Sequence, residues 1–213
     1  VLPLTINFTD QSWGNPTSWS WNFGDSGTSA DQNPAHTFQT AGSYSISLTV
    51  SNGTENDSLI KTDYISVISQ TYVPDDNFEQ ALIDLGYDDT LDDYVVTDSI
   101  SGVTSLDVGE KEISDLTGIE AFTALDVLYC DNNQLTSLDV SSNTALTGLW
   151  CNSNSLTSLD VSTNTSLTSL RCYDNQLTSL DVSANTALTY LYCYTNQLAA
   201  LDVSANTALT LLT

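Results

Sequence analysis

The sequence predicts a mainly β protein in two parts, a small β-sandwich followed by a parallel-β solenoid with a short helical cap. Three observations carry this reading. Up to about residue 69, short alternating apolar and polar runs are separated by Gly, Asn, Pro and Asp turns. Farther on, Cys130, Cys151, Cys172 and Cys193 recur 21 residues apart. Each lies in the same phrase, L-x-C-x-x-N-x-L-x-x-L-D-V-S-x-N-T-x-L-T. A fixed period of that length marks a solenoid, whose coils bury their apolar faces only against one another. Between the two parts, Phe78, Ala81, Leu82 and Leu85 fall at helical spacing.

The sandwich comes first. Its expected strands are Thr5–Phe8, Ser18–Phe23, Ser43–Val50 and Tyr64–Ile68. The residues Trp21-Asn22-Phe23-Gly24-Asp25, Asn33-Pro34-Ala35-His36-Thr37-Phe38, Ala41-Gly42-Ser43-Tyr44 and Leu48-Thr49-Val50 closely resemble the polycystic-kidney-disease (PKD) family. The resemblance implies an immunoglobulin-like sandwich that serves as an extracellular spacer or adhesive module. Members of that family carry a further strand before the position of Pro3-Leu4-Thr5. Here it is missing or very short, which would leave a sheet edge open.

Ser69-Gln70-Thr71 reads as a linker. The helix follows Pro74, with Asp76 as the expected cap, Glu79 three residues on and Gly86 as the stop. Its place before the repeats makes it the lid over the first apolar layer. The expected boundaries are 1–69 for the sandwich, 70–102 for the linker and cap, and 103–213 for the repeats. The first repeat has 22 residues, those after it have 21, and the last is incomplete.

The template L-x-x-L-x-C-x-x-N-x-L resembles the leucine-rich-repeat family and recurs at Leu125, Leu146, Leu167 and Leu188. The second half of each repeat, such as Leu135 to Asn143, fits it again. We therefore expect a parallel strand on each side of the coil, since Thr, Val and Ser favour strands. Nested repeats behind a PKD-like module resemble surface or secreted proteins of the Bacteroidetes type. The chain has no methionine, opens on the strand-like Val1 and stops at Thr213 within a repeat, the look of a processed chain or an interior piece.

Charge narrows the function. There are 27 acidic residues against three basic ones, a formal net charge of -24. That disfavours the polyanions, nucleic acid and anionic lipid, as partners. No apolar run reaches the roughly 18 residues of a membrane span, and no signal peptide is legible.

The cysteines point inward in the template and read as a ladder of buried thiols. No C-x-x-C is present, and the only histidine, His36, lies in the other part, where the PKD resemblance implies a structural role. The asparagine columns 133, 154, 175, 196 and 143, 164, 185, 206 are expected to bond backbone at the turns. Asp139, Asp160, Asp181 and Asp202 form an outward column, with a repulsion of about 1 kcal/mol per exposed pair. Raised pKa values, neighbouring hydroxyls or cations would relieve it. Asp88, Asp89, Asp92 and Asp93 cluster without the D-x-D-x-D-G spacing of an EF-hand, which makes them calcium candidates only; no other cofactor is indicated.

The outward positions of the L-x-C half vary most. They read Val127, Tyr129, Asp131; Gly148, Trp150, Asn152; Ser169, Arg171, Tyr173; and Tyr190, Tyr192, Tyr194. Alternation places them on one face. Aromatics and Arg are the residues enriched at binding hot spots. The candidate ligand-binding residues are Tyr129, Trp150, Arg171, Tyr173, Tyr190, Tyr192 and Tyr194. Stacking across strands is the competing structural role.

Asn7, Asn52, Asn56 and Asn164 fit N-x-S/T. Ser58, Thr90 and Ser99 lie in tripeptides that resemble the O-glycosylation motif of exported Bacteroidetes proteins. No phosphate loop and no G-x-S-x-G is present. The reading is an extracellular or cell-surface, non-enzymatic binding or adhesion protein whose aromatic face meets a glycan or protein. The alternative is a glycosylated or cation-bridged subunit of a fibre that assembles head to tail.

Overall fold

The computed structural model describes residues 2–213; Val1, read above as strand-like, lies outside them. The chain divides into two compact units, Val1–Gln70 and Thr71–Thr213.

The first unit is a sandwich. Strand β1 (Leu4–Asn7) pairs antiparallel with β4 (Ala35–Phe38), setting Ile6 opposite His36. The second sheet has the order β3-β2-β5-β6, with β2 at Ser18–Asn22, β3 at Thr28–Ser29, β5 at Gly42–Ser51 and β6 at Asn56–Val67. Phe8, Trp21, Phe23, Phe38, Tyr44, Ile46 and Val67 fill the core. Its aromatic weight explains why so few strands suffice, since each large ring buries about 150–250 Å². Gly24 is required where it stands: its φ is +83°, and a Cβ there would meet the Ser45 carbonyl oxygen at 2.7 Å. Strand β6 starts well before the expected Tyr64, because residues from Asn56 on already pair antiparallel with β5, Asn56 opposite Ser51 and Lys61 opposite Ile46.

Strand β7 (Gln70–Tyr72) runs across the boundary between the units, so the expected linker is instead largely strand; it pairs with β8 (Tyr94–Val96). Helix α1 (Asp76–Asp84) lies between them and buries Phe78, Ala81 and Leu82. Its cap is Asp75, not Asp76: the Asp75 Oδ1 accepts from the N–H groups of Asn77 and Phe78, both at 3.0 Å. Gly86 ends the helix at φ +80°, with the Gly86 N–H on Ile83 O and the Tyr87 N–H on Leu82 O. Leu85, expected on the apolar face, is exposed. A single helical turn, α2 (Thr97–Ile100), leads into the repeats.

Six short parallel strands then stack in sequence order: β9 (Ser105–Asp107), β10 (Val127–Tyr129), β11 (Gly148–Trp150), β12 (Ser169–Arg171), β13 (Tyr190–Tyr192) and β14 (Leu211–Leu212). Leu106, Leu128, Leu149, Leu170 and Leu191 form one fully buried column, and the cysteines run beside it. The four thiols are free and enclosed. Burial pushes the Cys151 and Cys172 thiols well up, so all four act as small apolar side chains.

The expected strand on the opposite side of each coil does not form. There the Asp139 Oδ1 accepts the Ser141 N–H at 2.9 Å, and Val140 O takes the Asn143 N–H at 3.0 Å. Asp160, Asp181 and Asp202 repeat that turn. Local side-chain bonds of this kind compete with a sheet ladder and here replace it. The same bonds hold the Asp139 and Asp160 carboxyls below the usual range, so the column stays ionised and is not relieved by raised pKa values.

The asparagines satisfy the corners. Asn175 accepts the Leu156 N–H at 2.9 Å and donates to Cys151 O and Cys172 O. The inner column donates too, Asn164 to Val140 O and Asn143 O. Asn164 is thus fully buried, and as a glycosylation candidate it is excluded in the folded chain, because its amide nitrogen is already committed. The other six candidates, Asn7, Asn52, Asn56, Ser58, Thr90 and Ser99, are exposed.

Candidate functional site

The pairing of β10 to β13 aligns Tyr129 with Trp150, Trp150 with Arg171, and Arg171 with Tyr192. Parallel strands stand about 4.8 Å apart, so these side chains must touch. Tyr129 meets Trp150 edge to face, with centroids 4.0 Å apart and planes at 75°. The Arg171 guanidinium lies 4.2 Å above the Trp150 ring and 5.2 Å from that of Tyr192. One cation is therefore held between two aromatic faces.

Two residues along the chain, Tyr173 and Tyr194 stack in parallel at 4.5 Å, with planes 7° apart. Burial raises the Tyr173 hydroxyl above its usual range, with a smaller push from Tyr194. The sheet brings Tyr129, Trp150, Arg171 and Tyr192 into one row, with the Tyr173–Tyr194 pair alongside. Tyr190 stands apart, opposite Leu211. Contact within the row leaves its four members half-buried, whereas Tyr190 and Tyr194 are exposed by 47% and 48%. The face is thus a packed shelf, not a set of free side chains.

Beside the shelf lies a hollow of about 420 Å³, bounded by Asp107, Glu110 and Asp131 as well as by Tyr129, Trp150 and Arg171. Gly148, at the start of β11, packs closely on its neighbour strand: a Cβ would come within 3.3 Å of Val127 Cγ1. Asp107 and Glu110 were not among the sequence candidates. The register sets Asp107 opposite Tyr129, and alignment of the atypical first repeat with the next would have found it.

Among the described residues the only ion pair is His36–Asp25, so Arg171 has no carboxylate partner despite its acidic surroundings. The Trp150 Nε1–H and Arg171 Nε–H are shielded from water and lack acceptors. Each buried, unmet donor costs about 1–3 kcal/mol. A stack that served stability alone would gain by avoiding that cost.

His36 is structural in its surroundings. It bonds Asp25 at 2.8 Å and stacks on Phe23 at 4.1 Å. The calcium candidates divide. Asp88 is half-buried in the loop after α1, while Asp89, Asp92 and Asp93 are exposed. Burial raises the Asp88 carboxyl above the usual range, opposed by the Asp89 N–H and reinforced by the charges of Glu79, Asp89 and Asp92. Glu79, expected at the helix start, turns instead into this loop.

Comparison with known proteins agrees with this architecture. Residues 1–67 match the PKD domain family. Internalin J of Listeria monocytogenes serotype 4b (strain F2365) is 41% identical over 72 residues, which are 34% of this chain and 8% of that protein. The functional domain of InlJ from Listeria monocytogenes, which includes a cysteine ladder, superposes with a TM-score of 0.62 at 44% identity, over 68% of this chain and 33% of that one. An internalin, InlF, of the same species gives a TM-score of 0.47 at 20% identity, over 65% and 48% of the two chains. The chain thus spans less than half the length of each of these relatives. It is a mainly β protein in which a PKD domain precedes a leucine-rich-repeat-like solenoid that resembles internalins.

Proposed function

We propose that the chain is the binding part of a cell-surface or secreted adhesion protein without catalytic activity, and that the aromatic shelf of the solenoid docks a partner protein. One observation carries the reading: Arg171, clamped between Trp150 and Tyr192, is a cation without a carboxylate, set on a shelf beside Asp107, Glu110 and Asp131. Aromatic and Arg anchors in one cluster are the composition of a hot spot. The acidic margin complements Lys or Arg side chains of a partner, and a formal net charge of -24 would steer a basic surface toward it. The resemblance to internalin J supports the surface assignment. No helix is long and apolar enough to cross a membrane among the described residues. A glycan stacked on Tyr173 and Tyr194 is the second reading, favoured by their parallel rings.

The test is binding of the labelled chain to arrays of surface proteins and of polysaccharides. Retention on proteins, lost with Trp150→Ala or Arg171→Ala and kept with Asp181→Asn, supports protein docking. Retention on polysaccharides lost with Tyr194→Ala supports the second reading. Binding that survives all of these changes removes the shelf as the site.

A further inference from the structure

Glu79 is buried completely, with 0% of its surface exposed. Its Oε1 accepts the N–H groups of Asp92 and Tyr94, both at 3.0 Å, which places the carboxylate inside the 88–94 loop. The other oxygen, Oε2, has no donor and is out of reach of water. Asp88 Oδ2, from the start of the same loop, is in the same condition. Among the described residues no Lys, Arg or His pairs with either. A buried carboxyl oxygen without a donor is accommodated by a proton or by a paired cation.

We propose that the Glu79 and Asp88 carboxylates hold a divalent cation, calcium by preference, that pins the 88–94 loop against α1 at the solenoid cap. Both ligands are hard oxygens, the donors calcium selects, and backbone carbonyls of the loop would complete a flexible shell. Among the described residues no third acidic, His or Cys side chain converges closely enough to close a cage. Low ligand charge sets the affinity in the weak range of extracellular modules, about 10⁻⁴–10⁻³ M. Magnesium, which demands a regular octahedron, fits such an open set less well. The loop carries Asp93, whose carbonyl accepts the Val73 N–H at 2.9 Å, and Tyr94, where β8 begins. A bound cation would therefore stiffen the strand pair that begins the cap. This site is independent of the aromatic shelf.

The test uses the full chain, stripped with chelator and then titrated with calcium chloride or magnesium chloride. Calcium raises the melting temperature of the solenoid, and magnesium raises it less. Asp88→Asn and Glu79→Gln lose the calcium response, whereas Asp160→Asn keeps it. The amide oxygen of Gln still accepts the Asp92 and Tyr94 N–H groups, so the fold is retained. Terbium luminescence sensitised by Tyr87 or Tyr94 and displaced by calcium reads the same site in the unaltered chain. A melting temperature indifferent to calcium, a response unchanged in Asp88→Asn, or terbium emission that calcium does not displace would each overturn the proposal.

Discussion

The carboxylate of Asp75 ties helix α1 to Ser114 of the first coil. While Oδ1 caps the helix, Oδ2 accepts the Ser114 N–H at 2.9 Å, the Ser114 hydroxyl at 2.7 Å and the Asp115 N–H at 3.0 Å. One side chain thereby serves five donors from two segments that lie about 40 residues apart in the chain.

Asp75→Ala removes the cap and the tie together. Loss of a cap costs about 1 kcal/mol and charge-assisted bonds add to it. We expect a loss of about 2–3 kcal/mol, a fall of roughly 4–12 °C in the melting temperature of a unit this size. Asp75→Asn should lose less, since an amide oxygen can still cap. Scanning calorimetry distinguishes the two variants.

The sandwich should weaken in acid. Partial burial raises the Asp10 carboxyl, but hydrogen bonds from Ser12, Trp19 and Gln32 outweigh it and bring it down to about 2. A depressed acid stabilises the fold above its unfolded pKa, about 3.9, and that contribution disappears as the pH falls toward 2. Asp25 acts in the same direction through His36. Tryptophan fluorescence from pH 5 to 2 should show this loss, and Asp10→Asn should flatten the profile. An unchanged profile would mean that the Trp19 bond to Asp10 is not kept in solution.

The thiols should be inert in the native chain. Burial pushes them up and leaves little thiolate at pH 8. A disulfide-exchange reagent should label them only on unfolding. Cys193, the one with residual exposure at 8%, should react first. Prompt labelling of Cys151 would contradict the closed stack.

The two asparagine columns should differ in worth. Asn175→Ala leaves the Leu156 N–H without its acceptor and removes one of the two asparagine donors at Cys151 O and at Cys172 O, a loss of about 3 kcal/mol. Asn185 only donates, to Val161 O and Asn164 O, and its own Oδ1 is unmet. Asn185→Ala should cost about half as much, because it also removes an unsatisfied acceptor. Urea unfolding with a constant slope would confirm that order.

Much of this was legible in the residue order. A 21-residue period fixed the stacking of the Leu and Cys columns, because only one register buries all of them. The motif Trp21 to Asp25 with His36 was enough to place the sandwich, whose aromatic core follows from it. The row Tyr129, Trp150, Arg171, Tyr192 was also visible as spacing. Other features were not, because they depend on who meets whom across long separations. Local turns at Asp139 and its repeats defeated the second sheet, although Thr, Val and Ser have strand propensity. Asp75 won the cap over Asp76 because Ser114 waits for its second oxygen. The Glu79 side chain turned away from the helix start because the 88–94 loop offered it two N–H groups. Period and pattern decide which residues are inside; only packing decides where each polar group finds its partner, since that choice is made among distant segments competing for the same few donors.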